Sequence, residues 1–342
     1  MSTTTMQAAV IDAYRQPYPV IKAVPRPQMR PNDVLVRIVA ASINPIDLKT
    51  KDGGLKMLLN YDLPLIMGSD FAGTITAVGS AVHDYAVGDA VFGRVQKDRI
   101  GTFAEYLAVD QGDIARKPRN LSFEKAAALP LVGLTSYQAL HDIMALQPGQ
   151  KVLIQGGSGG IGTIAIQLAK HLGAYVATTT SPANFDLVKS LGADLIIDYH
   201  TTNFADVLTD YDAVFDTRGG QTLADAFRII KPGGQVVSIA GLPNARFGKA
   251  YGVAWWKQLA FSWVTRQLTR LEKQHHATYT FLFMQPSGAQ LAQLAQLVEA
   301  GTVTPVIDRV VPFSQINQAL DYSHAGQAVG KIILKIAESE AV

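Results

Sequence analysis

The sequence predicts an α/β protein in which a doubly wound parallel sheet is accompanied by a second, β-rich domain. Three observations support this fold class. In the middle of the chain, short apolar segments alternate with helical patterns about every 20 residues, as in βαβ units. A glycine-rich turn follows the first of these segments, and the residues before it instead have the pattern of strands separated by turns. A chain of 342 residues also approaches the limit of a single core, which favours two domains.

The β-rich domain is predicted from runs of β-branched and apolar residues at 34–40, 71–78 and 104–109, which Gly and Asp residues punctuate. Buried parallel strands are expected further along the chain, at residues 152–154, 175–177, 195–197, 213–215 and 236–239. An irregular insertion follows. The chain is then completed by strands at 279–283, 306–311 and 331–336 and helices at 288–300 and 313–324.

The overall composition excludes several classes of protein. Lys and Arg number 30 and Asp and Glu number 28, so the net charge of +2 argues against nucleic acid or an anionic membrane as the main partner. The chain has no cysteine, which excludes disulfides, a thiolate nucleophile and sulfur-ligated metals. Since the residues before Met6 also lack the basic and apolar blocks of a signal peptide, we predict a cytoplasmic protein.

The insertion at residues 245–278 contains all three tryptophans of the chain, at positions 255, 256 and 263. Its most apolar part is interrupted by Lys257 and falls short of the roughly 18 apolar residues that span a bilayer. We therefore predict no membrane partner. The tryptophans are expected to lie on an amphipathic helix that covers the core or contacts another subunit, and an apolar substrate rim is the functional alternative.

The glycine-rich turn is the sharpest local signal in the sequence. Gly157, Gly159 and Gly162 match G-x-G-x-x-G between a predicted strand and a predicted helix, which is the context of a dinucleotide-binding site. One glycine allows the tight turn, one lets backbone amides approach a pyrophosphate, and one lets the helix pack closely on the strand. The residues predicted to bind the pyrophosphate are Gly157, Ser158, Gly159, Gly160, Ile161 and Gly162.

The same turn also matches a different enzyme class. Ser158 lies in a G-x-S-x-G pattern, the nucleophile elbow of serine esterases, and Asp216 and His324 follow in the chain order that such a triad requires. A hydrolase does not need the further glycine at 162, which favours dinucleotide binding. A merely structural tight turn is the third interpretation.

The end of the next strand bears on which cofactor binds. An NAD site usually has a carboxylate there for the ribose 2′-hydroxyl, but residues 178–184 are TTTSPAN and the first acid is Asp186, inside a predicted helix. The hydroxyls of Thr180 and Ser181 and the amide of Asn184 can donate to a 2′-phosphate. We therefore predict NADPH as the cofactor, although no Lys or Arg occupies this segment.

With these motifs in order, the chain resembles the medium-chain dehydrogenase/reductase superfamily, and within it the zinc-free NADPH:quinone oxidoreductase and enone reductase branch. The resemblance runs from Met6 to about residue 336. It depends on ASINPID at 41–47, PLIMGSDFAG at 64–73, VGDAV at 87–91, AALP at 127–130, LGAD at 191–194, KPGG at 231–234 and GKI at 330–332. It implies a GroES-like catalytic domain at 1–126 and 276–342 and a Rossmann domain at 127–275.

The resemblance also implies roles for single residues. Thr135, Leu282 and Phe283 would contact the nicotinamide, Tyr199 would lie at the 2′-phosphate, and Lys331 would add charge near the cofactor. Tyr199 is equally well explained as a half-buried aromatic residue at a strand end. The sequence departs from several relatives at Asn184, where they have lysine, and at Arg218, where a small or aliphatic residue is common. Relatives often form homodimers through the last strand of the nucleotide domain, here 236–240, so a homodimer is expected.

Zinc-dependent alcohol dehydrogenases of this superfamily hold their metal with a Cys, a His and usually a second Cys. The matching positions here are Asn44, Ser69 and approximately Leu131. We therefore predict no metal site, and a zinc-type alcohol dehydrogenase is the less favoured member of the family.

Without a metal, reduction of a quinone or an α,β-unsaturated carbonyl is favoured over alcohol oxidation, because hydrogen bonds can stabilise the resulting enolate. Asn44 is the candidate hydrogen-bond donor and Asp47 the residue that orients it. The alternative for both residues is a turn with Asx bonding. The expected substrate is a small apolar carbonyl or quinone, and a protein that binds NADPH without turnover is the remaining alternative.

Overall fold

We describe the chain from a computed structural model, which covers residues 4–338. One compact unit ends at Leu134 and resumes at Gln285, and the other is formed by Thr135–Met284. Residues 276–284, which we expected in the catalytic domain, lie in the second unit, and residues 127–134, which we expected in the Rossmann domain, lie in the first.

The described chain contains the following strands: β1 (Thr5–Ile11), β2 (Val20–Pro25), β3 (Asp33–Ile43), β4 (Leu65–Ile66), β5 (Asp70–Val78), β6 (Ala90–Arg94), β7 (Tyr106–Asp110), β8 (Ile114–Arg116), β9 (Lys151–Ile154), β10 (Tyr175–Thr180), β11 (Leu195–Asp198), β12 (Tyr211–Asp216), β13 (Ile230–Ser238), β14 (Thr278–Phe281), β15 (Ile307–Pro312) and β16 (Lys331–Lys335).

Its α-helices are α1 (Pro45–Lys51), α2 (Phe123–Ala127), α3 (Pro130–Tyr137), α4 (Gly160–His171), α5 (Phe185–Ser190), α6 (Phe204–Val207), α7 (Gly220–Ile229), α8 (Ala245–Ala250), α9 (Trp255–Val264), α10 (Arg266–His275), α11 (Gly288–Glu299) and α12 (Ile316–His324). A π-helical turn at Gln138–Ile143 continues α3, and 3₁₀ turns lie at Gln111–Asp113, Pro182–Asn184 and Phe313–Gln315. No helix in residues 4–338 combines the length and the apolar character needed to cross a membrane.

The first unit is built around β3, the central strand of its larger sheet. The strand order is β15-β16-β3-β5-β6-β8, and β7 also pairs with β3. Val36, Ile38 and Ala41 of β3 are fully buried, because the strand is covered on both faces and its apolar residues occupy both side-chain parities. A smaller sheet with the order β2-β1-β4 completes the β-rich part.

The second unit is a six-stranded parallel sheet with the order β11-β10-β9-β12-β13-β14. This is the strand order of a doubly wound dinucleotide-binding fold. The central strand β9 is apolar and fully buried from Val152 to Ile154, as expected for a strand with helices on both faces. The predicted fold class, a Rossmann sheet with a β-rich GroES-like domain, is confirmed.

Two details of the second unit differ from the sequence prediction. Residues 236–240, which we expected to offer a free edge for pairing with another subunit, begin within β13, which is hydrogen-bonded to β12 on one side and β14 on the other. The edge strands of this sheet are β14 and β11. The insertion, which we expected to be irregular, forms α8, α9 and α10. Asn244 caps the first of these helices, because its side-chain oxygen accepts a hydrogen bond from Phe247 N–H.

Candidate active site

The glycine-rich turn joins β9 to α4, and two of its glycines are required by close approaches. A Cβ on Gly157 would lie 2.2 Å from Thr178 Oγ1, a hydroxyl held in place by its own hydrogen bond to Ile154 O. A Cβ on Gly162 would lie 2.3 Å from the carbonyl oxygen of Gly156. At both positions the backbone lies closer to its neighbours than a Cβ would allow. This agrees with the predicted roles of the two glycines, which are a tight turn and close packing of the helix on the strand.

The first turn of α4 offers backbone amides to an anion. The helix begins at Gly160 after the N-cap residue Gly159, whose position provides no side-chain cap, and no acidic residue lies in the first turn. The N–H groups of Gly160, Ile161 and Gly162 have no acceptor within the helix. These donors, with the positive end of the helix dipole, form an arrangement that binds phosphate groups.

The polar residues predicted to surround the 2′-phosphate lie together at the end of β10. Ser158 Oγ accepts hydrogen bonds from Thr180 Oγ1 at 2.9 Å and from Asn184 Nδ2 at 3.3 Å, and Asn184 Nδ2 also donates to Ser181 Oγ at 3.1 Å. The structure thus connects the pyrophosphate turn to the proposed phosphate pocket. The four side chains carry hydroxyls and one amide and no carboxylate.

Tyr199 lies next to this cluster along the sheet, although it makes no recorded contact with it. Its predecessor Asp198 is in register with Thr180. The Tyr199 ring is mostly exposed and lies against His200, with ring centroids 4.2 Å apart. The 56% exposure of Tyr199 is compatible with both predictions for this residue, a ligand contact and a half-buried aromatic residue at a strand end.

The residues predicted at the nicotinamide occupy two places in the second unit. Leu282 follows β14, is buried, and donates from its N–H to Ser238 O at 2.8 Å. Phe283 packs near Phe247 and Tyr251 in an aromatic cluster. Thr135 is buried in α3, and the next residue, Ser136, donates from its hydroxyl to Ile161 O at 3.4 Å, so this part of α3 lies against the start of α4.

Arg218 follows β12, and its side chain passes beside the glycine turn. Its Cδ lies 3.9 Å from the position of a Cβ on Gly156, and the residue is exposed. Asp216 shapes this turn, because its Oδ1 accepts the N–H groups of Arg218 and Gly219 at 3.1 and 2.9 Å. Arg218, which departs from the pattern of several relatives, thus lies beside the glycine turn.

The predicted catalytic residues lie in the first unit, where β3 ends and α1 begins. Asp47 Oδ2 accepts the backbone N–H of Asn44 at 2.8 Å, and Asp47 Oδ1 accepts Ser69 Oγ at 3.0 Å. Asp47 is therefore a helix-capping residue that holds both Asn44 and Ser69. Burial raises the pKa of Asp47 to about 7, against the opposing effect of the Asn44 hydrogen bond.

Three strands bring the partners of the Asn44 side chain together. Lys331, the first residue of β16, donates to Asn44 Oδ1 and to Ile43 O. Asn44 Nδ2 donates to Asp70 Oδ2 at 3.0 Å and to Ser42 O at 3.3 Å. Because Lys331 can only donate, it fixes which end of the Asn44 amide carries the oxygen. The strand register explains this meeting, since Ile43 pairs with Ile332 and Ser42 with Asp70.

Asp70 and Lys331 form a buried ion pair beside Asn44, with Nζ and Oδ2 3.8 Å apart. Burial raises the pKa of Asp70, and Lys331 and Asn44 oppose that rise. Burial lowers the pKa of Lys331, and Asp70 opposes the fall. Lys331, which we expected to add charge near the cofactor, donates to Asn44 and Ile43. The role of Asp70 was missed, although it lies within a quoted motif, because its partner is 261 positions away in the sequence.

The polar groups around Asn44 do not form a set of ligands that fits zinc. The three positions that match zinc ligands do lie around the Asp47 and Asp70 carboxylates: Asn44 donates to Asp70, Ser69 donates to Asp47, and Leu131 N–H donates to Asp70 Oδ1 at 3.0 Å. These groups are donors turned toward carboxylates, and the Lys331 ammonium would repel a metal cation. Residues 4–338 hold no cluster of three or more His, Cys, Asp and Glu side chains arranged for a metal.

The esterase alternative is not favoured by the surroundings of Ser158. A serine nucleophile needs a base within hydrogen-bond reach, and the recorded side-chain partners of Ser158 are Thr180 and Asn184. The Asp216 carboxylate, which would have oriented that base, is bonded to Ser238 Oγ and to backbone amides of its own turn.

Family models and similar known proteins agree with the fold and the site described above. Residues 30–119 match the alcohol dehydrogenase GroES-like domain, and residues 191–334 match the zinc-binding dehydrogenase family. The 2-methylene-furan-3-one reductase of Solanum lycopersicum is 35% identical over 322 residues, with 90% of this chain and 73% of the relative covered. The chloroplastic NADPH-dependent alkenal/one oxidoreductase of Arabidopsis thaliana is 34% identical over 322 residues, with the same coverage of both chains.

Among solved structures, the quinone oxidoreductase of Coxiella burnetii is 32% identical, with a TM-score of 0.83 over 97% of this chain and 100% of that one. The similarity thus extends over both units. The chain belongs to the medium-chain dehydrogenase/reductase superfamily, in its zinc-free quinone oxidoreductase branch.

Proposed function

We propose that this protein is an NADPH-dependent, zinc-independent reductase of quinones or α,β-unsaturated carbonyls. The observation that carries the proposal is the pairing of a phosphate-binding glycine turn with a buried Asn44 network that is unsuited to a metal. The names of the relatives support the same reaction class. A bound nicotinamide cofactor supplies the hydride for this chemistry.

In this proposal Asn44 is the catalytic donor to the substrate oxygen. Its amide oxygen faces the Lys331 ammonium, which polarises the amide and strengthens its N–H groups as donors. Both N–H groups are already bonded, and the bond to Ser42 O, at 3.3 Å, is the longer of the two. We propose that this longer bond is exchanged for one to the substrate oxygen as negative charge develops there. Asp47 positions Asn44 through its backbone N–H.

The proposed cofactor contacts divide between the turn and the sheet edge. The amides of Ser158, Gly160, Ile161 and Gly162 would hold the pyrophosphate, whereas Gly159 N–H already donates to Gly156 O at 3.1 Å. Thr135, Leu282 and Phe283 would adjoin the nicotinamide. The preference for NADPH is supported by the hydroxyl and amide cluster of Thr180, Ser181 and Asn184, which contains no carboxylate that would repel a 2′-phosphate. The exposed Arg218 beside the turn supplies a positive charge.

Three measurements test this proposal. Thermal unfolding with NADPH or NADH at equal concentration measures binding, since a ligand at 100 times its Kd adds about 2.7 kcal/mol of stability. We expect NADPH to give the larger shift, and equal shifts would refute the 2′-phosphate argument. Oxidation of NADPH is then followed with a panel of enones and quinones. Binding without turnover on any of them would favour the alternative of an NADPH-binding protein, and labelling of Ser158 by a fluorophosphonate would favour the esterase.

We also propose a homodimer and a cytoplasmic location. If subunits pair through a sheet edge in the second unit, that edge is β14 or β11, because β13 is hydrogen-bonded on both sides. Light scattering of the purified chain tests the dimer. The cytoplasmic location is supported by the cysteine-free sequence alone, and fractionation of the source cells tests it.

A further inference from the structure

Helix α9 carries an apolar stripe on its exposed side. Phe261 anchors the helix and is 3% exposed, whereas Trp255, Leu259 and Trp263 recur every four residues and are 72%, 62% and 68% exposed. Trp256 lies on the same face and is 54% exposed. We call Trp255, Trp256, Leu259 and Trp263 the α9 stripe. A continuous apolar surface of this kind on a folded domain marks an interaction site.

Positive charge accompanies the stripe. Residues 245–276 contain six Lys and Arg and one Glu, a net charge of +5, so the remainder of the chain sums to −3 because the whole chain carries +2. Arg266, Arg270 and Lys273 are exposed and follow one face of α10 at spacings of four and three. Neither Arg270 nor Lys273 pairs with a carboxylate in residues 4–338, whereas Glu272 is bonded to Arg246.

We propose that the α9 stripe and the basic face of α10 dock this protein on the surface of a bilayer rich in anionic lipids. Trp and Leu on one face with Lys and Arg beside them is the composition of helices that lie in the membrane interface. The Arg266 guanidinium lies 5.2 Å from the Trp263 ring centroid, and Lys257 Nζ lies 5.6 Å from that of Trp256. When the indole rings enter the membrane interface, these two cations would therefore lie at the depth of the lipid phosphates.

A second copy of the chain is the competing occupant, and the charge argues against it. A twofold dimer brings the same patch of each copy together. The two copies of segment 245–276, each with a net charge of +5, would then meet, and like charges across an interface are unfavourable. An anionic bilayer can bury the apolar α9 stripe and also attracts the basic residues beside it. The near-neutral total charge led us to expect no membrane partner, and the uneven distribution of that charge is the reason to revise the expectation.

The test uses the full chain with vesicles of phosphatidylcholine, either alone or with about 30% phosphatidylglycerol. All three tryptophans of the chain lie in the α9 stripe, so tryptophan emission reports on this surface alone. With the anionic vesicles only, we expect the tryptophan emission to shift to shorter wavelength and the protein to sediment with the vesicles. Both effects should become smaller as the salt concentration is raised.

Paired variants separate docking from general charge. Arg270→Gln with Lys273→Gln is expected to weaken binding about 30-fold, since each basic residue at an anionic surface contributes about fivefold. Arg119→Gln with Lys125→Gln, at exposed positions of the first unit, removes the same charge and should leave binding unchanged.

Three results would overturn the proposal. The first is equal binding to vesicles without anionic lipid, and the second is no binding to either kind. The third is a blue-shifted emission that depends on protein concentration without lipid, which would assign the α9 stripe to a second copy. NADPH binding is measured on the same samples, so that loss of vesicle binding is distinguished from failure of the proposed redox function.

Discussion

Lys331 carries the charge that organises the Asn44 network, and replacing it with Met should show how strongly the network is held. The side chain is 5% exposed and donates to Asn44 and to the backbone carbonyl of Ile43. Methionine fills a similar volume and has no donor. The substitution removes the ion-pair partner of the buried Asp70 carboxylate, which keeps only the charge of Arg94 on the neighbouring strand, and it leaves Asn44 Oδ1 and Ile43 O without this donor.

The expected cost follows from the burial of the pair. Removing one member of a buried ion pair typically costs about 3–5 kcal/mol, because the remaining charge stays out of water. In a unit of this size each kcal/mol lowers Tm by about 2–4 °C. Lys331→Met should therefore lower Tm of the first unit by roughly 6–20 °C. Asp70→Asn in the same chain should recover part of this loss, since it removes the uncompensated charge.

Calorimetry of the purified variants measures these shifts. Lys335→Met is the matched control, because Lys335 lies on the same strand and pairs with the exposed Glu338 at the surface. The control should unfold close to the parent. If Lys331→Met is as stable as Lys335→Met, or if Asp70→Asn restores nothing, then the buried pair does not organise this site as we argue.

Three further predictions concern single residues. The folded pKa of Asp47, about 7, lies above its usual 3.8, so the stability it confers is full below pH 4 and lost as pH rises through 7. The Tm of Asp47→Asn minus the Tm of the parent should accordingly rise from pH 5 to pH 8, and parallel pH curves would contradict the buried carboxylate. Gly162→Ala places a Cβ 2.3 Å from a backbone oxygen and should cost about 1–3 kcal/mol by overpacking, whereas Gly159→Ala meets its nearest atom at 3.4 Å and should be tolerated; calorimetry compares them, and equal losses would refute the packing argument. Arg218→Ala should weaken NADPH binding about tenfold, as for one charged hydrogen bond, with a smaller effect on NADH; titration calorimetry measures both, and equal losses would move Arg218 away from the 2′-phosphate.

The sequence predicted best what depends on neighbours in the chain. The glycine turn is local, since its strand, its glycines and its helix lie within residues 151–171, and the fold reproduces that order. The bond between Lys331 and Asn44 joins residues 287 positions apart and depends on the register of β16 against β3. Spacing along the chain cannot supply that register. The family motifs named both residues without showing that they touch.

This long-range bond changes what an Asn44→Ala experiment means. Loss of an oxyanion donor is expected to lower kcat about 100- to 1,000-fold. Removing the amide, however, also takes away the group that bonds to both members of the Lys331–Asp70 pair, whose charged atoms are 3.8 Å apart and could then move closer, so the single variant mixes two effects. Lys331→Met, assayed below its Tm, keeps the amide and removes its polarising cation.

A double-mutant cycle of these two substitutions separates the effects. If Lys331 acts through Asn44, the double variant should be no slower than Asn44→Ala alone, because a cation cannot polarise an amide that is absent. KM for NADPH is measured alongside kcat, so that a loss of cofactor binding, which the predicted role of Lys331 near the cofactor would cause, is distinguished from a loss of donor polarisation. Losses in kcat that multiply would show that Lys331 and Asn44 contribute independently, and the proposed polarised donor would then be wrong.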